Sequence, residues 1–268
     1  MSATTTLAPS RLTRWIILGV VGAVFAIPIV AMAEFTMRRG LDGGYDLSRW
    51  TIVFTGQLGP AYMPVWQGIQ NSVVLALVTV LLMLVLLVPT MILVTLRFPS
   101  LQRVLEFICL LPISIPAIVL VVGLAPVYQV ISRMLGSGTW SLAFAYGILV
   151  LPFAYRAVQS NIEAVDVVTL TEAARSLGAG WVTVIVRVLM PNLRRGLLAG
   201  AFISVAVVLG EFTIASLLSR TTLQTALVVA SKADAFIAVI FALLALLFAF
   251  ILLLVIGHIG RGRPERTS

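Results

Sequence analysis

Long charge-free stretches alternate with short polar ones along this chain. Trp15 to Ala33, Trp50 to Leu96, Phe107 to Ser132, Met134 to Tyr155, Gly196 to Gly210 and Ala235 to Gly260 carry no formal charge. About 20 consecutive apolar residues suffice for a helix to cross a bilayer. The second run exceeds one span, but Gly56, Gly59, Pro60, Pro64 and Gly68 crowd its first part, so its helix is expected to begin near Asn71. The pattern predicts an all-α polytopic membrane protein with six transmembrane helices, near 14 to 34, 70 to 95, 105 to 125, 140 to 160, 197 to 219 and 236 to 257. Residues 1–268 are read as one transmembrane domain with its core at about 70–257.

Composition agrees: 60% hydrophobic residues, 10% charged and a mean hydropathy of +1.12 exclude an ordinary soluble globule. The net charge of +8 then reads as basic residues retained on the cytoplasmic side of a lipid bilayer, not as a nucleic-acid surface. Six crossings put both termini on one side. With the termini inside, Arg11, Arg14, Arg97, Arg103, Arg156, Arg175, Arg187, Arg194, Arg195, Arg261, Arg263 and Arg266 are cytoplasmic, against Arg38, Arg39, Arg49, Arg133, Arg220 and Lys232 outside. Cytoplasmic termini are therefore expected. A rival reading of the N-terminus is a signal peptide, with Arg11 and Arg14 before the apolar stretch and Ala31-Met32-Ala33 as cleavage site. Retention is expected, because the run is long for an h-region of about 7 to 15 residues.

Pro28, Pro89, Pro112, Pro116, Pro126 and Pro152 interrupt the apolar segments. Singly each reads as a kink absorbed by neighbouring helices; together they suggest a cavity or pathway.

Between the fourth and fifth spans, Val158 to Arg195 gathers Glu163, Asp166, Glu172, Arg175, Arg187, Arg194 and Arg195. Thr169 and Glu172 stand in the T-x-x-E relation of a capping box, so a helix is expected to start at Thr169. Gly178 can adopt the left-handed conformation that ends it. Trp181 to Leu189 can form a second short helix stopped by Pro191. Ala173, Ala174 and Gly178 keep one side of this helix–turn–helix flat enough for close approach by another protein, while Glu172 and Arg175 offer directional polar contacts. The same element could instead rest on lipid headgroups as an amphipathic hairpin.

Glu172-Ala173-Ala174, three residues, Gly178, nine residues, Val188, one residue and Met190-Pro191 resemble the EAA loop of binding-protein-dependent ABC importer permeases. That family has Ile and Leu where this chain has Val188 and Met190, both conservative exchanges. Asn71-Ser72, Leu111-Pro112 with Ile115-Pro116, and Leu151-Pro152-Phe153 extend the resemblance over about residues 70 to 220. It implies a type I importer permease in the bacterial inner membrane, whose coupling loop, at about 160–195, seats on a cytoplasmic ATPase subunit. Carried over by position, Glu172, Ala173, Ala174, Arg175, Gly178 and Pro191 form that loop. The implied partners are two ATP-binding cassette subunits, a second homologous or identical permease and an extracytoplasmic solute-binding protein.

The chain cannot bind ATP through a P-loop, which needs Gly-x4-Gly-Lys-Ser/Thr, since its sole lysine, Lys232, follows Ser231. One histidine, His258, and one cysteine, Cys109, far apart in sequence, offer neither a metal site nor a catalytic group. No cofactor is expected. Glu211 is the acidic residue well inside a predicted span, which points to a cavity-facing carboxylate on the translocation path or to a structural partner on a neighbouring helix. Tyr128, Trp140 and Tyr146 could add aromatic faces for a cation, although aromatics also collect at membrane interfaces. Gly210-Glu211-Phe212-Thr213-Ile214-Ala215 and Leu111-Pro112-Ile113-Ser114-Ile115-Pro116 look most like the spermidine/putrescine branch, with relatives for iron(III), thiamine, phosphonate or sulfate. A membrane-embedded enzyme would need a cluster of reactive side chains that the sequence lacks. A secondary transporter would leave the docking loop without a purpose.

Overall fold

The computed structural model describes residues 10–40 and 43–260. Arg261, Arg263 and Arg266, counted toward the cytoplasmic charge, lie outside the described residues. Those residues form helices and turns; their β-pairing is an isolated bridge between Arg38 and Tyr45. In chain order the helices are α1 (Arg11–Met37), α2 (Ser48–Thr55), α3 (Met63–Arg97), α4 (Gln102–Leu110), α5 (Ala117–Leu135), α6 (Ala143–Val165), α7 (Val167–Ser176), α8 (Trp181–Asn192), α9 (Arg194–Gly210), α10 (Thr213–Leu217), α11 (Leu223–Ala233) and α12 (Ala235–Gly260). Among the described residues, five helices are long and apolar enough to cross a membrane, or six if α8 and α9, bent by 74°, count as one broken span.

Three predicted boundaries are corrected. The second span begins at Met63, not near Asn71. Pro64 sits in the first turn, where its missing N–H costs nothing. At Gly68 the chain passes so close to the Thr222 carbonyl that a Cβ would lie 2.7 Å from it. The span expected at 105 to 125 is split: α4 stops at Leu110, Leu111–Ser114 makes a tight 3-10 turn, and Ile115 is extended. Pro116 lacks the donor and biases its predecessor away from helix, so the membrane-length helix starts at Ala117. The helix expected through 219 ends at Gly210, with Glu211 extended.

Two π-helical segments, Met83–Leu87 and Val184–Leu189, each end two residues before a proline, Pro89 and Pro191. A proline ring clashes with the carbonyl four residues back; widening the preceding turn relieves that clash without breaking the helix. Val88 N–H accordingly donates to Met83 and Met190 N–H to Ile185, five residues back in both cases.

The bundle centres on α6 and α9, which pack on each other and on α3. Gly196, Gly200 and Ser204 line one face of α9 and are all buried, so backbones approach closely there. A Cβ at Gly196 would fall 2.6 Å from that of Asn161, whose Oδ1 accepts the Gly196 N–H at 2.8 Å. At the opposite face, α2, α11 and the start of α12 meet. Arg49 pairs with Asp234 at 3.4 Å and stacks on Phe236, and Phe35 stacks on that same ring. Helix α1 is peripheral, held there by Phe35 and by Thr36, whose hydroxyl accepts from the Trp50 indole at 3.0 Å.

Candidate functional site: the α7–α8 hairpin and the Glu211 break

Helix α7 is capped three residues, nearly a full turn, earlier than the Thr169–Glu172 pattern predicts. Asp166, with a left-handed φ of 48°, ends α6 and caps α7 at once. Its carboxylate accepts from the Thr169 hydroxyl at 2.7 Å and from the Thr169 amide at 3.3 Å. Those two donors, the hydroxyl foremost, hold the Asp166 carboxyl below its ordinary range. The C-terminus follows the glycine reading: Gly178 has φ +84°, its N–H reaches the Arg175 carbonyl and that of Ala179 reaches Ala174. These are the paired bonds of a Schellman turn.

The hairpin has two faces. Val167, Thr171, Val184 and Leu189 are buried, and the apolar ones join Val88, Met91, Ile92, Val158 and Ile162 in one core cluster. Ala174 packs against the same cluster. Outward lie Glu172, Ala173 and Gly178 with Leu177, 90% exposed, and Val182, 77% exposed. The flat side expected of Ala173, Ala174 and Gly178 is thus divided, with Ala174 turned inward. Arg175 does not project freely: it donates to the Ala179 carbonyl at 2.9 Å and lies over the Trp181 ring. Pro191 is exposed near the end of α8, which runs through it to Asn192 because the π segment accommodates its ring. Leu193, fully buried, makes the bend into α9.

At the far end of α9 the chain breaks at Glu211. Both carboxylate oxygens accept from the Ile214 N–H, at 3.0 and 3.1 Å, so the side chain caps α10 rather than standing inside a continuous span. Tyr146 is completely buried, and its hydroxyl lies near the Glu211 carboxylate. The structure therefore brings together the two residues proposed for the path. The hairpin residues form a separate group. Tyr128 is buried too: its hydroxyl donates to the Ser141 carbonyl and accepts from the Ala145 amide, tying α5 to the start of α6. Both tyrosines are buried in the bundle, while Trp140 is 37% exposed.

Sequence reasoning missed Asp166 as the cap, although Asp166-x-x-Thr169 is itself a capping pattern. It also missed Asn161, whose role arises only from packing. Among the described residues, no cluster of His, Cys, Asp or Glu could hold a metal ion.

Comparison with known proteins adds independent findings. Residues 92–263 match the family model of the binding-protein-dependent transport system inner membrane component. The chain is 30% identical over 115 residues, 43% of itself and 40% of the relative, to the phosphate transport system permease protein PstA of Pasteurella multocida. It is 29% identical over 128 residues, 48% of each chain, to the spermidine/putrescine transport system permease protein PotC of Haemophilus influenzae. The matched stretch thus spans under half the length of these two relatives.

Proposed function

The chain belongs to the binding-protein-dependent transport system inner membrane component family, and from that premise we propose that it is the permease subunit of an ATP-driven importer. It is a multi-pass inner-membrane protein. In this reading the termini and the α7–α8 hairpin are cytoplasmic, and two ATP-binding cassette subunits seat on the hairpins of this chain and of a second permease. An extracytoplasmic binding protein delivers the solute. ATP draws the cassettes together, the hairpins follow, and the broken spans expose the path to the other side. The free energy for that shift is the difference in docking between the two states.

The observation that carries the proposal is the two-faced hairpin. Its inner face is locked into the bundle core, so a displacement is transmitted; its outer face presents Ala173, Leu177, Gly178 and Val182 unpartnered. Replacing Glu172 by Arg tests it: ATP-driven uptake is lost while membrane insertion is unchanged, and undiminished uptake would remove the hairpin from the mechanism.

For the solute, we propose a polyamine. Glu211 supports a cation, because its carboxylate sits at the break between α9 and α10 beside Tyr146, and one relative is a spermidine/putrescine permease protein. An anion is the second reading. Arg220 has a buried, unbonded Nε and shares a pocket of about 420 Å3 with Arg133, and the other relative is a phosphate permease protein. Competition of labelled putrescine uptake by unlabelled putrescine, set against competition by phosphate, separates the two.

A further inference from the structure

Where the hairpin meets the end of α3, a groove of about 370 Å3 opens between them. Leu93, Leu96, Arg97 and Phe98 line it from the end of α3 and the residue after it, Trp181 and Ile185 from α8. The lining is apolar apart from that one guanidinium. Leu93 and Phe98 are about half exposed, so the groove faces what surrounds the bundle.

Charge converges on this apolar slot. The Arg97 and Arg175 guanidinium carbons each lie 5.2 Å from the centre of the Trp181 ring, so the two cations are at most twice that distance apart. The indole attracts each of them, but they repel one another. The ion pairs among the described residues are Arg38–Glu34, Arg49–Asp234 and Arg156–Glu106; neither Arg97 nor Arg175 has a carboxylate partner. Both guanidiniums are exposed beside the same ring, so one anion from outside the chain can reach them together.

Arg97 is the last residue of a 35-residue membrane helix. At about 1.5 Å per residue, such a helix exceeds the hydrocarbon thickness of about 30 Å, so it is long enough for Arg97 to reach the headgroups. An apolar slot with two guanidiniums beside it matches a phospholipid, tail in the groove and phosphate at the arginines. We infer that this groove binds one anionic phospholipid, wedged between α3 and the hairpin. Because one wall is the span and the other is the hairpin, the lipid braces the seat of α7 and α8. Occupancy then follows the anionic content of the leaflet. The inference is independent of which solute is carried and of whether the hairpin docks on an ATPase.

The test uses the full chain in nanodiscs of equal phosphatidylglycerol and phosphatidylcholine, with native mass spectrometry reading the lipid that stays bound after release. The parent protein is expected to retain one phosphatidylglycerol in preference to phosphatidylcholine. Arg97→Gln should lower that preference about fivefold, the scale of one arginine at an anionic surface. Arg97→Lys, which keeps the charge, should preserve it, and Leu93→Trp, which fills the slot, should reduce retention of both lipids. Equal retention of the two lipids by the parent, or an undiminished preference in Arg97→Gln, overturns the inference. Loss of the preference in excess inorganic phosphate also overturns it, by showing a free-anion site in place of a lipid.

Discussion

Single backbone conformations decide how the hairpin is built. Gly178 sits at φ +84° with open space around it, so the constraint is the left-handed backbone and not crowding. An L-residue there costs about 1–2 kcal/mol, and a β-branched one is the hardest to accommodate. Gly178→Val is therefore expected to unlatch the turn, speeding hydrogen exchange at the Ala179 amide while leaving the spans folded. Asp166 adds a pH dependence of definite sign. Its folded-state carboxyl titrates below the ordinary value, so the cap's contribution is complete above the unfolded pKa of about 3.9 and is lost as pH falls through the lower folded value. Hairpin amide protection should be level from neutral pH to about pH 5 and fall in stronger acid, whereas Asp166→Asn, which still caps, should flatten that acid dependence. At Glu211 the same substitution logic tests charge: Glu211→Gln keeps an acceptor for the Ile214 amide. It should depress uptake of a cation several-fold with little change in melting temperature. Equal loss for solutes of any charge would assign the residue to structure alone.

At the scale of elements, the joints between helices hold the surprises. The α6–α9 contact depends on Gly196 lying against Asn161, and Gly196→Leu would force the backbones apart at a cost of about 1–3 kcal/mol. A lowered melting temperature in detergent would show it; an unchanged one would mean that the contact yields freely. The charge-free runs located the spans, because hydropathy over a membrane thickness is a strong signal. Their edges were less legible. The run from Phe107 to Ser132 is longer than a span, and hydropathy cannot choose between a helix starting before Pro112 and one starting after Pro116. Gly178 was readable since a glycine after a helical run has few other uses. The start of α7 was not, because Asp166–Thr169 and Thr169–Glu172 are both plausible caps and only the left-handed Asp166 selects the first. The stacking of Arg97 on Trp181 joins distant parts of the chain and leaves no local trace in the sequence.

Across the whole molecule, the two ends of the bundle are built for different tasks. One end carries the hairpin, a compact element with an outer surface of mixed polar and apolar side chains and a buried inner one. The other gathers α2, α11 and the start of α12 around Arg49, Asp234 and Phe236. Between them run α6 and α9, joined to the hairpin by Asp166 and by the 74° bend at Leu193. In the proposed mechanism a push on α7 reaches both central helices through these short joints. ATP-dependent solute uptake and ATP hydrolysis, measured together in proteoliposomes containing the complete transporter, test this most directly. With Gly178→Val in the permease, uptake should be abolished while the chain remains inserted and hydrolysis continues uncoupled from binding-protein delivery. Uptake equal to that of the parent would contradict the account.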